Sequence, residues 1–138
     1  MKYNLFIGRF QSPHKGHQEL FDKFLSKNEP VLIAIRDVET DEDNPLTAQQ
    51  VQRLWKNIYA DNPLVKTIII PDIASVNYGR GVGYEVNEIK VSKSTAAISA
   101  TEIRNQILQG SEDWKQFVDE KIHDALERLI KSSQEPAE

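Results

Sequence analysis

The chain has no cysteine, a single methionine and only three histidines in 138 residues. Without cysteine there is no disulfide framework, no thiol nucleophile and no thiolate-held metal, and the composition suits a reducing compartment such as the cytoplasm. Long apolar runs are missing too. No stretch approaches the ~20 residues of a membrane span, and the N-terminus enters a strand pattern without a signal-peptide pattern, so no membrane partner is expected. Excess positive charge is also lacking: 17 Lys and Arg stand against 21 Asp and Glu, a formal net charge of −4. No nucleic-acid partner is expected on that balance, and an anionic small molecule must be caught by a local group of basic side chains. Repeats, low-complexity tracts and an interdomain linker are absent as well. One domain over residues 1–132 is expected, large enough to bury a core unaided, with a frayed tail at 133–138.

What is present alternates. Residues 3–9 read as a strand, about 16–27 as a helix, and Val31-Leu32-Ile33-Ala34-Ile35 as a fully buried strand. A charged loop from Asp37 to Asn44 leads to a helix over about Thr47–Tyr59, with Val51, Leu54, Trp55 and Ile58 at helical spacing and Thr47 as cap. Lys66-Thr67-Ile68-Ile69-Ile70 reads as a third strand, stopped by Pro71. This order predicts an α/β fold: a single Rossmann-like domain, a parallel sheet flanked by helices, and a C-terminal helical segment. In such a sheet ligands bind beyond the strand C-termini, at a switch point where neighbouring strands lie on opposite sides. Gly8 and His14 fall just past one strand end, and Arg36 and Asp72 just past the other two.

Residues 77–84, Asn-Tyr-Gly-Arg-Gly-Val-Gly-Tyr, hold three of the six glycines. No helix pattern follows them, so a dinucleotide fingerprint is not indicated. Two readings stand: a flexible turn into a short strand, Tyr84 to Val91, or a loop near the site with Arg80 and the tyrosines, Tyr78 among them, reaching ligand. The tail from about Ser111 to Ser132 reads as one helix, with Trp114, Phe117, Val118, Ile122, Leu126, Leu129 and Ile130 on an apolar face. That stripe serves core packing or a subunit contact in a homo-oligomer. His123 lies off it among polar residues and is expected at the surface.

The most informative turn is Gly8-Arg9-Phe10-Gln11-Ser12-Pro13-His14-Lys15-Gly16-His17, between the first strand and the first helix. That is where a parallel sheet holds phosphates. Each imidazole can present an N–H to an anionic oxygen, and the helix start adds unpaired backbone N–H groups. Gly16, lacking a Cβ, leaves the backbone open to a nucleotide. A metal site is the competing reading, but only one further histidine exists and zinc-ligand spacings are absent. A second turn, Ile98-Ser99-Ala100-Thr101-Glu102-Ile103-Arg104, opens another helix. Ser99 or Thr101 can cap it, and the pattern closes at Gly110. Arg104 falls in the first turn, where its charge opposes the helix dipole unless an anion sits there. It is either solvated or an anion ligand, and a phosphate chain explains its placement better.

Together these stretches resemble the paired HxGH and ISxTxxR motifs of the nucleotidylyltransferase superfamily, the small adenylyl- and cytidylyltransferases, including the archaeal-type nicotinamide mononucleotide adenylyltransferases. Asn44-Pro45-Leu46-Thr47 resembles the Asn-Pro-Phe-Thr before that family's second helix, and Ile70-Pro71-Asp72-Ile73 the end of its third strand. The likeness runs in order through residues 3–109. Two departures bear on the acceptor: Gln-Ser-Pro-His replaces the commoner Gln-Pro-Phe-His, and Gln49-Gln50-Val51 replaces Gly-Glu-Arg, with Arg53 two places late.

The resemblance implies transfer of a nucleoside monophosphate, from ATP in preference to CTP, to a small phosphate-bearing acceptor, with release of pyrophosphate. His14 and His17 would hold the α- and β-phosphates; Ser99, Thr101 and Arg104 the β- and γ-phosphates. Gly8, Arg9 and Phe10 would line the nucleotide's bed, with Lys15 adding charge or standing solvated. Mg²⁺ is expected on the triphosphate, held by phosphate oxygens and water rather than by protein ligands. A cytidylyltransferase and a non-catalytic nucleotide sensor are the alternatives.

Overall fold

The three apolar runs become three parallel strands in a computed structural model that describes residues 1–89 and 93–134. They are β1 (Asn4–Gly8), β2 (Val31–Asp37) and β3 (Val65–Pro71), in the sheet order β1-β2-β3. Pro71 is the last residue of β3 rather than the residue that stops it. At the end of an edge strand its missing N–H costs the ladder nothing. Helix α1 (Lys15–Leu25) joins β1 to β2, and α2 (Ala48–Ile58) joins β2 to β3. Right-handed crossovers in this order place both helices on one face of the sheet. The expected switch point is not found: among the described residues the strand order never reverses.

The two sheet faces therefore differ. Phe6, Ile33 and Ile35 point toward the helices, with Phe6 edge-on to Phe21 and Phe24 of α1 at 4.9 and 5.8 Å. Val51, Leu54, Trp55 and Ile58 of α2 complete that layer, all buried as the helical spacing predicted. On the opposite face the register aligns Ile7, Ala34 and Ile68. There Leu5 is 55% exposed, Ile7 36% and Ile68 41%. Parallel sheets normally have both faces covered; among the described residues this face is largely uncovered.

Beyond β3, residues 74–88 are exposed throughout, and 84–89 form no strand. The alternating pattern that predicted one is present, but no neighbouring strand pairs with it. Lys90 and Val91, the end of that expected strand, lie outside the described residues. A short α3 (Lys93–Ala96) and then α4 (Ala100–Gln109) follow, and α4 ends at Gly110 with a left-handed φ of 80°.

The tail is not one helix. Two 3-10 turns, Asp113–Phe117 and Glu120–Ile122, precede α5 (His123–Ser133). Val118 is extended between them, and the Asp119 side chain accepts from the Lys121 N–H, capping a fresh start. The apolar residues still reach the core: Trp114, Val118, Ile122, Leu126 and Ile130 are buried with Ile103 and Ile107 of α4. His123 is not a simple surface residue. Its Nε2 lies 2.7 Å from the Val118 carbonyl and 3.0 Å from that of Lys115, and its ring meets Trp114 at 5.3 Å. It adds a bond to the Val118 carbonyl and shares the Lys115 carbonyl with the Val118 N–H. The expected frayed tail starts later than predicted: Ser133 is still helical and Gln134 caps α5, while residues 135–138 lie outside the described residues. No helix among those described is long and apolar enough to cross a membrane.

Candidate active site

The chain leaves β1 at Gly8 and folds Phe10 straight back over it. A Cβ on Gly8 would stand 2.9 Å from the tip of the Phe10 ring, so only glycine fits. Phe10 has a φ of 52°, a left-handed conformation that is strained for a bulky residue. Packing holds it there: the buried ring sits edge-on to His17 at 5.0 Å and to Trp55 at 5.5 Å. Of the expected nucleotide bed, Phe10 thus contributes a buried anchor, while Arg9 is exposed.

His14 is the N-cap of α1, and its Nδ1 accepts the Gly16 N–H at 3.0 Å. His17, three residues on, accepts the His14 N–H on its own Nδ1 at 3.1 Å. This is a capping box built from two imidazoles in place of a hydroxyl and a carboxylate. The rings stack, 3.8 Å between centroids and 17° from parallel. A backbone N–H can only donate, so both Nδ1 atoms must be unprotonated and each neutral ring carries its proton on Nε2. Among the described residues neither Nε2 has a hydrogen-bond partner. Burial pushes the His14 imidazole down to about 4. Burial, and then the charge of His14, also holds His17 well below the ordinary range. At neutral pH the pair is uncharged and offers two N–H donors side by side.

Gly16 is required by this packing. A Cβ there would lie 2.7 Å from the His14 Cε1, so the close neighbour is the imidazole itself. Lys15 is exposed.

Ser99, not Thr101, is the N-cap of α4; its Oγ accepts the Glu102 N–H at 3.4 Å. Arg104 is therefore the fifth helical residue, beyond the first turn where opposition to the dipole is concentrated. Nor is it solvated. The residue is 8% exposed, Nη1 donates to the Gln11 carbonyl, and Nη2 donates to Thr101 Oγ1 at 3.4 Å. Burial lowers the guanidinium from its ordinary value, opposed by the carboxylates of Asp43 and Asp41. The two motifs, 93 positions apart, are tied by this one side chain.

The tie has a second part that sequence reasoning passed over. The buried Gln11 side chain grips the Leu46 backbone at both ends, donating from Nε2 to the carbonyl and accepting the N–H on Oε1, each at 2.8 Å. Leu46 leads into α2, where Thr47 and Gln50 form a reciprocal capping box. Just before it, Asp41 Oδ1 accepts from the N–H groups of Asp43 and Asn44 and from the Asn44 side chain. Those bonds, the Asn44 side chain first, hold the Asp41 carboxyl below its usual range, helped by the charge of Arg9. The spacing Asp41-x-x-Asn44 was the available sequence signal for this turn.

Arg36 is not past its strand end but the sixth residue of β2, because that strand runs on to Asp37; it still meets Asp72, just beyond β3, Nη2 to Oδ1 at 2.7 Å and Nε to Oδ1 at 2.9 Å. Arg36 holds the Asp72 carboxyl below its ordinary value, and Arg9 adds to the effect. Arg9, Arg36 and Asp72 thus share one region at the carboxyl end of the sheet. Tyr78 and Arg80 lie in the exposed segment and are not drawn into the site. No group of three His, Asp or Glu side chains among the described residues is placed to hold a metal.

A parallel βαβαβ unit, with two imidazoles in the turn after β1 and an arginine-bearing helix bound to that turn, has the architecture in which α/β proteins place ligands beyond the strand ends. In fold and in motif pair, the chain resembles the nucleotidylyltransferase superfamily. It is 24% identical to the nicotinamide-nucleotide adenylyltransferase of Picrophilus torridus, over 89% of this chain and 89% of that protein. It is 26% identical to the nicotinamide-nucleotide adenylyltransferase of Methanococcus aeolicus, over 91% of this chain and 88% of that protein. The aligned stretches of 162 and 153 positions exceed the 138 residues here, so both relatives carry segments without a counterpart in this chain. No family model matches.

Proposed function

We propose that this protein is an adenylyltransferase that joins the AMP moiety of ATP to the phosphate of a nicotinamide mononucleotide-like acceptor and releases pyrophosphate. The observation that carries the reading is the pair of backbone N–H groups bonded to the two Nδ1 atoms. Both Nδ1 atoms are committed to the start of α1, which leaves both Nε2–H groups for an anion. Relatives named for adenylyl rather than cytidylyl transfer favour ATP over CTP.

In this reading an acceptor phosphate oxygen attacks the α-phosphorus, a new P–O bond forms, and the bond to the β-phosphate oxygen breaks. The protein has no covalent step to perform, so its part is positioning and charge stabilisation. His14 and His17 donate to the α- and β-phosphate oxygens as charge grows on them. Arg104, with Ser99 and Thr101, holds the β- and γ-phosphates and the departing pyrophosphate. Gly8, Arg9 and Phe10 shape the bed, and Arg36 and Asp72 face the acceptor. The donor set at the turn, imidazole N–H and guanidinium, suits phosphate oxygens rather than a cation. Mg²⁺ would therefore arrive on the triphosphate and supply charge neutralisation there.

The test is pyrophosphate release with each of the four ribonucleoside triphosphates against nicotinamide mononucleotide, phosphopantetheine, sugar phosphates and polyol phosphates. Turnover is expected with ATP and nicotinamide mononucleotide. Triphosphate binding without turnover for any pair would replace the enzyme by a nucleotide sensor.

A further inference from the structure

We infer that Gln11 is a positioning residue for Arg104: its side chain fixes where its own carbonyl stands, and that carbonyl draws the guanidinium to the phosphate turn before any nucleotide arrives. Three observations meet at this residue. The side chain is buried and makes two 2.8 Å bonds to one backbone unit, Leu46, which leaves it no freedom to swing. Its main-chain carbonyl accepts from Arg104 Nη1. The loop it pins, just before α2, carries Asp41 and Asp43, the two carboxylates whose charge acts on Arg104.

The chemistry of the arginine makes the arrangement useful. A guanidinium has five N–H donors in a rigid fork. Among the described residues, one is committed to Gln11 and one to Thr101, and the other donors can meet phosphate oxygens without the side chain leaving its seat. A long side chain held in this way loses little further rotamer freedom on binding. The same clamp joins the segment before α2 to the distal-phosphate arginine. Gln11 is thus the point at which the phosphate turn, the α2 lead-in and α4 are set relative to one another.

The inference rests on the adenylyl-transfer reading and is tested by a double-mutant cycle of Gln11→Met and Arg104→Ala. Gln11→Met keeps the buried volume and removes both bonds to Leu46. Calorimetry measures affinity for ATP·Mg²⁺ and for AMP on wild type, both single variants and the double. Gln11→Met is expected to weaken ATP about tenfold or more and AMP less than about threefold; in the Arg104→Ala background the same change should alter ATP affinity by less than about threefold. A lower melting temperature is expected on either reading, because the Leu46 N–H and carbonyl lose their partners; a purely structural role would also weaken both ligands alike. Equal losses for ATP and AMP, or a full ATP loss that persists without Arg104, would overturn the inference. Should Gln11→Met fail to fold, Gln11→Glu retains the acceptor for the Leu46 N–H and serves in the same cycle. A wild-type protein that binds no triphosphate would instead remove the proposed function, an outcome separate from either of these.

Discussion

Mild acid should weaken this fold through His14, and the size of the effect follows from its burial. The imidazole is pushed down to about 4 in the native protein, against an ordinary value of about 6.5 for an exposed histidine. Between those values the unfolded chain binds a proton that the folded chain refuses, so stability falls as pH falls. At one pKa unit per 1.36 kcal/mol, His14 alone should cost about 2–3 kcal/mol by pH 4.5 and almost nothing at pH 7. His17, shifted the same way by burial and by His14, adds to the loss. Asp41 and Asp72, whose carboxyls are held low, lose their contributions only in more acid solution, below the ordinary carboxylate range. The assay is urea unfolding of wild type and His14→Asn at pH 7, 6, 5 and 4.5. Asparagine is a good N-cap that cannot titrate, so the variant should resemble wild type at pH 7 only to within about 1 kcal/mol. Its stability should then fall less steeply, and the two curves should converge or cross on acidification. Parallel curves would show that His14 titrates alike in the folded and unfolded chain, and the argument from burial would fail.

His17→Ala should lower turnover by about 10²–10³ through loss of one anion-facing donor. Because His17 also receives the His14 N–H, its loss should cost about 1 kcal/mol of stability as well, read from steady-state rates and melting curves on one preparation. Arg104→Ala should destabilise the free protein by about 1–3 kcal/mol, since the Gln11 carbonyl is left unpaired. Its affinity for ATP should fall by about 2–5 kcal/mol, with AMP affected far less; an unchanged melting temperature would contradict the buried tie. Gly16→Ala should cost about 1–3 kcal/mol by driving a methyl into the His14 ring, and it should reduce activity by moving that imidazole. Wild-type rates and stability in this variant would refute the packing argument.

Much of this architecture is written locally. The strands announce themselves as apolar runs, and Thr47, Ser99 and Gly110 mark helix ends because caps depend only on residues a few places away. The HxGH turn was legible for the same reason: His14 and His17 bond to each other's neighbourhood. Arg104 was not. Its local surroundings suggested a charge opposed to a helix start or free in solvent, whereas a carbonyl far back in the chain determines its place. His123 failed similarly, because its polar neighbours say nothing of the Val118 and Lys115 carbonyls that the break between the two 3-10 turns brings to its ring. The strand expected at 84–91 shows a third limit: alternation supplies the side chains of a strand but not the neighbouring strand it needs.

The simple order of the sheet constrains how the chain can assemble. Among the described residues each strand pairs only with its neighbours in sequence, Asn4 with Val31 and Val31 with Val65. Each closure spans one strand–helix–strand unit, about 30 residues, the ordinary separation for parallel pairing. They also share one member. β2 supplies the ladder for both other strands and buries Val31, Ile33 and Ile35 completely. Neither β1 nor β3 has another strand to pair with among the described residues, so the sheet can nucleate only around β2. The turn that carries the histidines hangs from an outer strand and can take its final form only after that centre is built.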